Sequence, residues 1–170
     1  MASYYAYGVA EVRAFVGREV GPGAWRAVNQ HDVDRFADVT HDRQWIHVDP
    51  AAASTSPSGG TVIHGNFILS LVMPLFADLL EISGFDTVVN YGFDRVRFPA
   101  PAPTGGRLRV TARVTSFDEV DDGEHQMRAT FTVYSDLAQK PVCVADGLLR
   151  YLEAADAAAA ASVAEEGVIS

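Results

Sequence analysis

The order of sequence patterns predicts an α+β fold in which one antiparallel sheet wraps around one long central helix. Residues 66–82 carry apolar side chains around most of the helix circumference, which is the pattern of a mostly buried helix. From residue 87 onward, long segments of strand pattern alternate with short turns, which is typical of an antiparallel sheet. A single sheet packed against one apolar helix accommodates this order with short connections.

The bulk composition limits the class of protein. At 170 residues the chain is most simply one domain with a substantial core. A formal net charge of −9 and the lack of a dense basic patch argue against a nucleic-acid partner. The most apolar segment, residues 67–80, is too short to span a membrane, and the N-terminus has no signal-peptide pattern. The single cysteine, Cys143, excludes a disulfide within the chain, so we expect a cytoplasmic protein with a buried thiol.

The first third of the chain is less regular. Residues 1–24 allow an edge strand or a loose arm, and residues 24–28 resemble a short strand. Asn29 is a suitable N-cap, with Asp32 in the first turn. The helix over residues 30–40 is predicted by apolar positions at helical spacing, namely Val33, Phe36, Ala37 and Thr40.

A second short helix, a flexible loop and the long helix follow. Asp49 and Pro50 suit the start of the short helix, with Asp49 as its cap rather than an acid catalyst. Residues 54–60 have the composition of a loop. Within the long helix, we expect Pro74 to introduce a kink or remove a hydrogen bond.

The second half of the chain supplies the sheet. Strands are predicted over residues 87–98, 108–117, 126–134 and 142–151, with an acidic turn over 118–123. Such a sheet leaves an open edge, so we expect a homodimer. The domain is predicted to span residues 1–152. Residues 153–170 form an Ala-rich acidic tail that we expect to be a fraying helix or poorly ordered.

One stretch carries the residue types for acid–base chemistry. Asp42 precedes His47 by five residues, just beyond the predicted end of a helix, and His64 opens the long apolar segment through Gly65. Histidine titrates near neutral pH, and a carboxylate can orient it or share its proton. The alternatives are a loop aspartate beside a structural histidine, and a structural rather than catalytic His64. A metal site that includes His41 is conceivable by residue type, but the spacing does not support it, and we expect none.

Three blocks of sequence resemble the MaoC-like dehydratases, also called the R-specific enoyl-CoA hydratase family. The family pattern F-A-x-x-[ST]-G-D-x-N-P-[IL]-H-x-D-P is similar to F-A-D-V-T-H-D-R-Q-W-I-H-V-D-P at residues 36–50. The pattern [IV]-x-H-G-[MF] is similar to V-I-H-G-N at residues 62–66. The segment N-Y-G-F-D-R-V-R-F-P-A-P, residues 90–101, resembles the nodulation-protein-N-like branch.

The resemblance implies a hot-dog fold and a hydro-lyase. The family reaction is reversible addition of water across a trans-2-enoyl thioester, giving an (R)-3-hydroxyacyl thioester on coenzyme A or an acyl-carrier protein, with no separate cofactor. By position, Asp42 and His47 are then the catalytic pair, holding one water between them. The backbone N–H of Gly65, at the start of the long helix, is the implied donor to the thioester oxygen, and His64 holds that turn.

The chain departs from the family pattern at four positions. His41 replaces the glycine before the aspartate, Gln44 and Trp45 replace Asn-Pro, and Asn66 replaces an apolar residue. Gln44 and Asn66 are therefore expected either to hydrogen-bond a polar, specialised biosynthetic substrate or to alter the chemistry.

Two other functions are compatible with a hot-dog fold. A hot-dog thioesterase usually has an acidic residue on the central helix, whereas Asp78 and Glu81 are predicted at the far end of that helix from Gly65. A non-catalytic acyl-thioester-binding subunit would not require both Asp42 and His47.

Overall fold

A computed structural model describes residues 2–153, which form five helices and eight strands. The elements in chain order are β1 (Tyr4–Tyr7), α1 (Gly8–Arg13), β2 (Glu19–Val20), β3 (Arg26–Ala27), α2 (Gln30–Thr40), α3 (Trp45–Val48), α4 (Pro50–Ala53), α5 (Gly65–Leu79), β4 (Leu80–Ser83), β5 (Thr87–Arg97), β6 (Arg107–Asp121), β7 (Glu124–Ser135) and β8 (Cys143–Leu152). No helix within residues 2–153 is long and apolar enough to cross a membrane.

The main sheet is antiparallel and has the strand order β2-β6-β7-β8-β5, with β3 also paired to β6. Helix α5 packs against β6, β7 and β8. Its buried side chains, Ile68, Val72, Leu75, Phe76 and Leu79, recur at helical spacing. Phe76 meets Phe131 of β7 edge to face, with ring centroids 5.0 Å apart. The prediction of one antiparallel sheet around one central helix is confirmed.

The local signals around α2 and α4 give correct boundaries. The Asn29 side chain accepts a hydrogen bond from the Asp32 N–H, and the Asp32 side chain accepts one from the Asn29 N–H, which completes a capping box. Asp49 caps α4, since its side chain accepts from the Ala52 N–H at 3.0 Å. The long helix α5 continues through Pro74, which lies exposed in the helix.

The structure differs from the prediction at the end of the long helix. Residues 80–83 form strand β4 rather than a last helical turn, and this strand pairs in parallel with β1. The partner strand comes from the N-terminus, more than seventy residues away, so local periodicity contains no sign of it. The acidic turn is also shorter than predicted, because β6 and β7 extend to Asp121 and Glu124 around Gly123, which has a φ of 66°.

The strand predicted over residues 24–28 is limited to Arg26–Ala27. The proposed tail lies outside the described residues, apart from Glu153. The backbone N–H of Glu153 donates to the Gly123 carbonyl at 2.8 Å, and its carboxylate lies 2.5 Å from the His125 Nε2. Glu153 therefore contacts the domain through both its backbone and its side chain. Cys143 is fully buried, and burial raises the pKa of its thiol to about 11.

Candidate active site

His47 lies in the short helix α3, and a backbone carbonyl fixes its ring. The His47 N–H donates to the Gln44 carbonyl at 2.9 Å, so the local chain is a hydrogen-bonded turn. The His47 Nδ1 lies 2.6 Å from the Val62 carbonyl oxygen. Because a carbonyl oxygen only accepts, Nδ1 carries the hydrogen, and Nε2 of the neutral ring presents a lone pair.

The Val62 carbonyl is itself held in place by the surrounding backbone. The Val62 N–H donates to the Ile46 carbonyl at 3.0 Å, and the Ile63 N–H donates to the Ala102 carbonyl at 2.8 Å. Val62 also forms an isolated β-bridge with Pro103. The acceptor that orients His47 therefore belongs to a backbone segment fixed from both sides. This contact was missed by sequence reasoning, because every residue type has a carbonyl.

His64 lies directly before α5 and packs face to face against His47. Its side chain is only 2% exposed, and the ring centroids of the two histidines are 3.7 Å apart with 23° between the ring planes. Nε2 of His64 donates to the backbone carbonyl of Asp42 at 2.9 Å. Within the described residues, Nδ1 of His64 has no hydrogen-bond partner. His64 therefore contacts both predicted catalytic residues, His47 through ring stacking and Asp42 through a hydrogen bond to its backbone.

Asp42 places its carboxylate beside the two imidazoles. One carboxylate oxygen and one nitrogen of each ring lie within 4.8 Å of one another, and Asp42 is exposed to solvent. No protein donor within the described residues bonds the Asp42 carboxylate, so it is available to a ligand or water. The preceding residue, His41, has a φ of 60°, in the left-handed region that favours glycine. The family pattern has glycine at this position, and the conformation explains why.

The electrostatic environment of His47 favours its neutral form. Burial lowers the pKa of His47 below 6.5, and the charge of a protonated His64 lowers it further. The hydrogen bond to Val62 and the Asp42 carboxylate act in the opposite direction without reversing the shift. A neutral imidazole with a free Nε2 at physiological pH is the form that a general base requires.

Gly65 is the first residue of α5 and is covered by an aromatic ring. A Cβ added to Gly65 would lie 2.9 Å from Cε2 of Phe98, which is closer than ordinary packing allows. The first N–H groups of a helix have no acceptor within the helix, and they lie at the positive end of its dipole. Gly65 thus offers a donor without a side chain directly after His64. Its proximity to Phe98 was not visible in the sequence.

Gln44 and Asn66, the two predicted polar contacts, are both exposed. Gln44 is the N-cap residue of α3 but makes no side-chain capping bond, and the Asn66 carbonyl accepts from the Ser70 hydroxyl at 2.8 Å. Trp45 is half exposed, with 49% of its surface accessible. The structure therefore brings Asp42, His47 and His64 together and leaves Gln44 and Asn66 at the surface of the segments that flank them.

Gln30, the first residue of α2, makes three side-chain hydrogen bonds around the site. The sequence did not predict this role. Its Nε2 donates to the His47 carbonyl at 2.7 Å and to the Asp34 carboxylate at 2.8 Å. Its Oε1 accepts from the Thr61 hydroxyl at 2.6 Å. One side chain therefore connects α2, α3 and the segment before His64.

Asp42, His47 and His64 also have the residue types of a metal site, but their arrangement suits one poorly. A metal would need both ring nitrogens to converge, whereas stacked rings direct their lone pairs into nearly parallel planes. One nitrogen of each ring already bonds a backbone carbonyl. The set fits an acid–base site better than a metal centre.

Comparisons with known proteins agree with the fold and the motif. Residues 11–136 match the family described as MaoC like domain. The chain is 39% identical over 144 residues to 3-hydroxyacyl-thioester dehydratase Z of Mycobacterium tuberculosis, covering 85% of this chain and 95% of that protein. It is 46% identical over 103 residues to nodulation protein N of Rhizobium leguminosarum bv. viciae, covering 59% of this chain and 64% of that protein.

A solved structure gives the same result for the fold. The R-hydratase PhaJ1 from Pseudomonas aeruginosa, in its unliganded form, superposes with a TM-score of 0.63 at 24% sequence identity. The superposition covers 82% of this chain and 83% of that one. The family match, which spans most of the chain, and the long alignment to the dehydratase confirm the predicted resemblance. This chain belongs to the MaoC-like dehydratase family.

Proposed function

We propose that this protein is a hydro-lyase that interconverts a trans-2-enoyl thioester and the (R)-3-hydroxyacyl thioester by adding or removing water. The observation that carries the proposal is the fixed His47 ring: its Nδ1 bonds the Val62 carbonyl, which leaves the lone pair on Nε2, and one ring nitrogen lies within 4.8 Å of an Asp42 carboxylate oxygen. The family and the 3-hydroxyacyl-thioester dehydratase among its relatives support the same reaction.

The first step of hydration uses His47 and Asp42 on one water molecule. Nε2 of His47 accepts a proton from the water, while the Asp42 carboxylate accepts a hydrogen bond from its other hydrogen and fixes its orientation. The water oxygen forms a bond to C3 of the enoyl group, and the C2–C3 π electrons move toward the thioester carbonyl. The lowered pKa of His47 keeps the ring neutral and ready to accept the proton.

The second step returns a proton to C2. Negative charge on the thioester oxygen is stabilised by the N–H of Gly65 at the positive end of α5. The electron pair then returns to C2, which takes the proton that the catalytic pair received from the water. The protein ends in its starting protonation state, and the reaction is redox neutral. We therefore propose that no cofactor is needed beyond the coenzyme A or carrier arm that holds the acyl group.

The direct test is the absorbance of the conjugated enoyl thioester after crotonyl-CoA is added to the purified protein. We expect the absorbance to fall, and chiral chromatography to identify the product as the (R)-3-hydroxy isomer. A longer or carrier-bound enoyl thioester replaces crotonyl-CoA if the short chain is not accepted. Release of free thiol without hydration would instead identify a thioesterase. If the protein binds acyl thioesters but converts none of the enoyl thioesters, the proposal is wrong and a binding subunit is indicated.

We also propose that the active form is a homodimer built on the open edge of β5. Strand β5 pairs with β8 on one side, and no other described strand pairs with it. Three large apolar residues near its start are exposed, namely Val88, Val89 and Tyr91. An unpaired apolar edge is a site for association with a second copy. Light scattering should give twice the 18.3 kDa of one chain, and a monomeric mass would contradict the proposal.

A further inference from the structure

The end of β5 carries a basic groove that the reaction chemistry does not use. Arg95, Arg97, Phe98, Pro99 and Val144 of the neighbouring strand line this open groove, which has a volume of about 410 Å³. Both arginines are exposed and lie two residues apart on one strand. The groove therefore presents two guanidinium groups together on a chain whose formal net charge is −9.

The acidic groups near these arginines are occupied by other partners. Asp94, the neighbour of Arg95 in sequence, pairs with Arg128 at 2.5 Å. Asp146, which is opposite Arg95 in the sheet, accepts a hydrogen bond from the Thr130 hydroxyl at 2.7 Å. Within residues 2–153, no carboxylate lies within ion-pair distance of Arg95 or Arg97. Arg97 uses one nitrogen on the Val96 carbonyl and keeps its other donors free.

The groove adjoins the candidate active site through Phe98. The Phe98 ring lies against Gly65, the proposed donor to the thioester oxygen, and also lines the groove beside Arg97. The residues after it continue along the site, since the Ala102 carbonyl accepts from the Ile63 N–H. A thioester positioned at Gly65 can therefore extend its carrier arm past Phe98 toward the two arginines.

We propose that the groove formed by Arg95 and Arg97 binds the phosphate groups of the pantetheine-bearing carrier of the substrate. This inference rests on the proposed function. Arginine is suited to this role because its planar guanidinium bonds phosphate oxygens through two donors at once. The phosphate at the end of the pantetheine arm is common to coenzyme A and to acyl-carrier proteins, and coenzyme A adds further phosphates.

The test compares three crotonyl thioesters: the coenzyme A thioester, the 4′-phosphopantetheine thioester and the pantetheine thioester, which lacks phosphate. The double variant Arg95→Ala/Arg97→Ala should raise KM for the coenzyme A thioester by about tenfold, because hydrogen bonds to charged groups are lost. Its kcat should stay near that of the unmodified protein, since no reacting atom is touched. KM for the pantetheine thioester should not change.

Two controls separate charge from structure. Arg13→Ala removes an exposed arginine from α1 and should leave KM unchanged for all three thioesters. Raising the salt concentration should raise KM for the coenzyme A thioester in the unmodified protein but not in the double variant, because salt screens exposed charges. An equal effect on the phosphopantetheine and coenzyme A thioesters would assign the site to the phosphate of the arm. An effect on the coenzyme A thioester alone would assign it to the nucleotide phosphates.

Two results would overturn the inference. One is an unchanged KM for both phosphate-bearing thioesters in the double variant. The other is an equal rise in KM for the pantetheine thioester, which would show that the arginines act on the fold. Failure of the proposed function is a different result, in which the unmodified protein hydrates none of the three thioesters. Calorimetric titration with free coenzyme A then still tests the groove, since the double variant should bind it about tenfold more weakly.

Discussion

The imidazole of His47 lies face to face with that of His64, with ring centroids 3.7 Å apart. Each ring uses one nitrogen on a backbone carbonyl, His47 on Val62 and His64 on Asp42. Through this stack, His64 links His47, the proposed base, to the backbone of Asp42, its proposed carboxylate partner. It also places two protonatable rings where simultaneous protonation is unfavourable, which contributes to the lowered pKa of His47.

Replacing either member of the proposed catalytic pair should remove activity while leaving the fold intact. Asp42→Asn and His47→Gln should each lower kcat by at least about 100-fold, the usual contribution of a positioned acid or base. Enoyl-thioester absorbance measures the rate, and circular dichroism checks the fold. Asp38→Asn is the matched control, because Asp38 is also an exposed carboxylate and, among residues 2–153, pairs only with Arg43 at the surface. Full activity in Asp42→Asn or His47→Gln would remove that residue from the mechanism.

The lowered pKa of His47 predicts a specific dependence of stability on pH. Folding favours the neutral ring, so its contribution to the free energy of unfolding is fully present above pH 6.5, the ordinary value for histidine. That contribution is lost as the pH falls through the lower pKa of the folded state. Urea unfolding from neutral pH to about pH 5 should show a steeper loss of stability in the unmodified protein than in His47→Gln. If the free energy of unfolding depends on pH equally in both proteins, the lowered pKa of His47 is contradicted.

The same shift predicts the acidic limb of the rate profile. In the proposed mechanism the neutral form of His47 accepts the proton during hydration, so kcat/KM should fall on acidification with an apparent pKa below 6.5. An acidic limb above that value would indicate that another group controls the rate.

His64 is expected to be a positioning residue. His64→Phe keeps an aromatic ring against His47 but removes the donor to the Asp42 carbonyl, so Asp42 loses its anchor. We expect kcat to fall by about 10- to 100-fold with little change in KM, since small misplacements of catalytic groups are costly. Removal of the neighbouring imidazole should also raise the pKa of His47, which would move the acidic limb of the rate profile to higher pH. A loss of stability with no change in kcat or in the pH profile would indicate a purely structural role.

His41 is expected to reduce the stability of the fold. Its φ of 60° strains any residue that has a Cβ, so His41→Gly should raise the free energy of unfolding by about 1 kcal/mol. His41→Ala is the matched control, since it removes the imidazole and keeps the Cβ, and it should give no such gain. Urea denaturation measures both variants. Equal stabilisation by the two variants would show that the imidazole, rather than the backbone, causes the cost.

The parts of the structure that depend on local chemistry could be predicted from the sequence. The bounds of α2 follow from the capping box at Asn29 and from the helical spacing of its apolar residues. The same holds for Asp49 at the start of α4. The parallel pairing of β1 with β4 could not be predicted, since each strand has only four residues and its partner lies at a distant position in the sequence.

The candidate site shows the same division. The residue types and spacing of Asp42, His47 and His64 predicted an acid–base site in this segment. The role of the Val62 carbonyl could not be predicted from the sequence, because every residue has a backbone carbonyl oxygen whatever its side chain. Gln30 resembles any polar residue in the first turn of a helix, and its partners lie 17 and 31 positions further along the chain.

The triple contact of Gln30 has a consequence for local unfolding. Its amide joins the start of α2, the turn that carries His47, and Thr61. A fluctuation that frees the His47 turn must therefore also break bonds to the other two segments. Backbone amides in α2, in α3 and in the segment that contains Thr61 and Val62 should exchange with deuterium as one cooperative unit. Gln30→Ala should divide that unit, so that the His47 turn exchanges first while the centre of α2 keeps its protection.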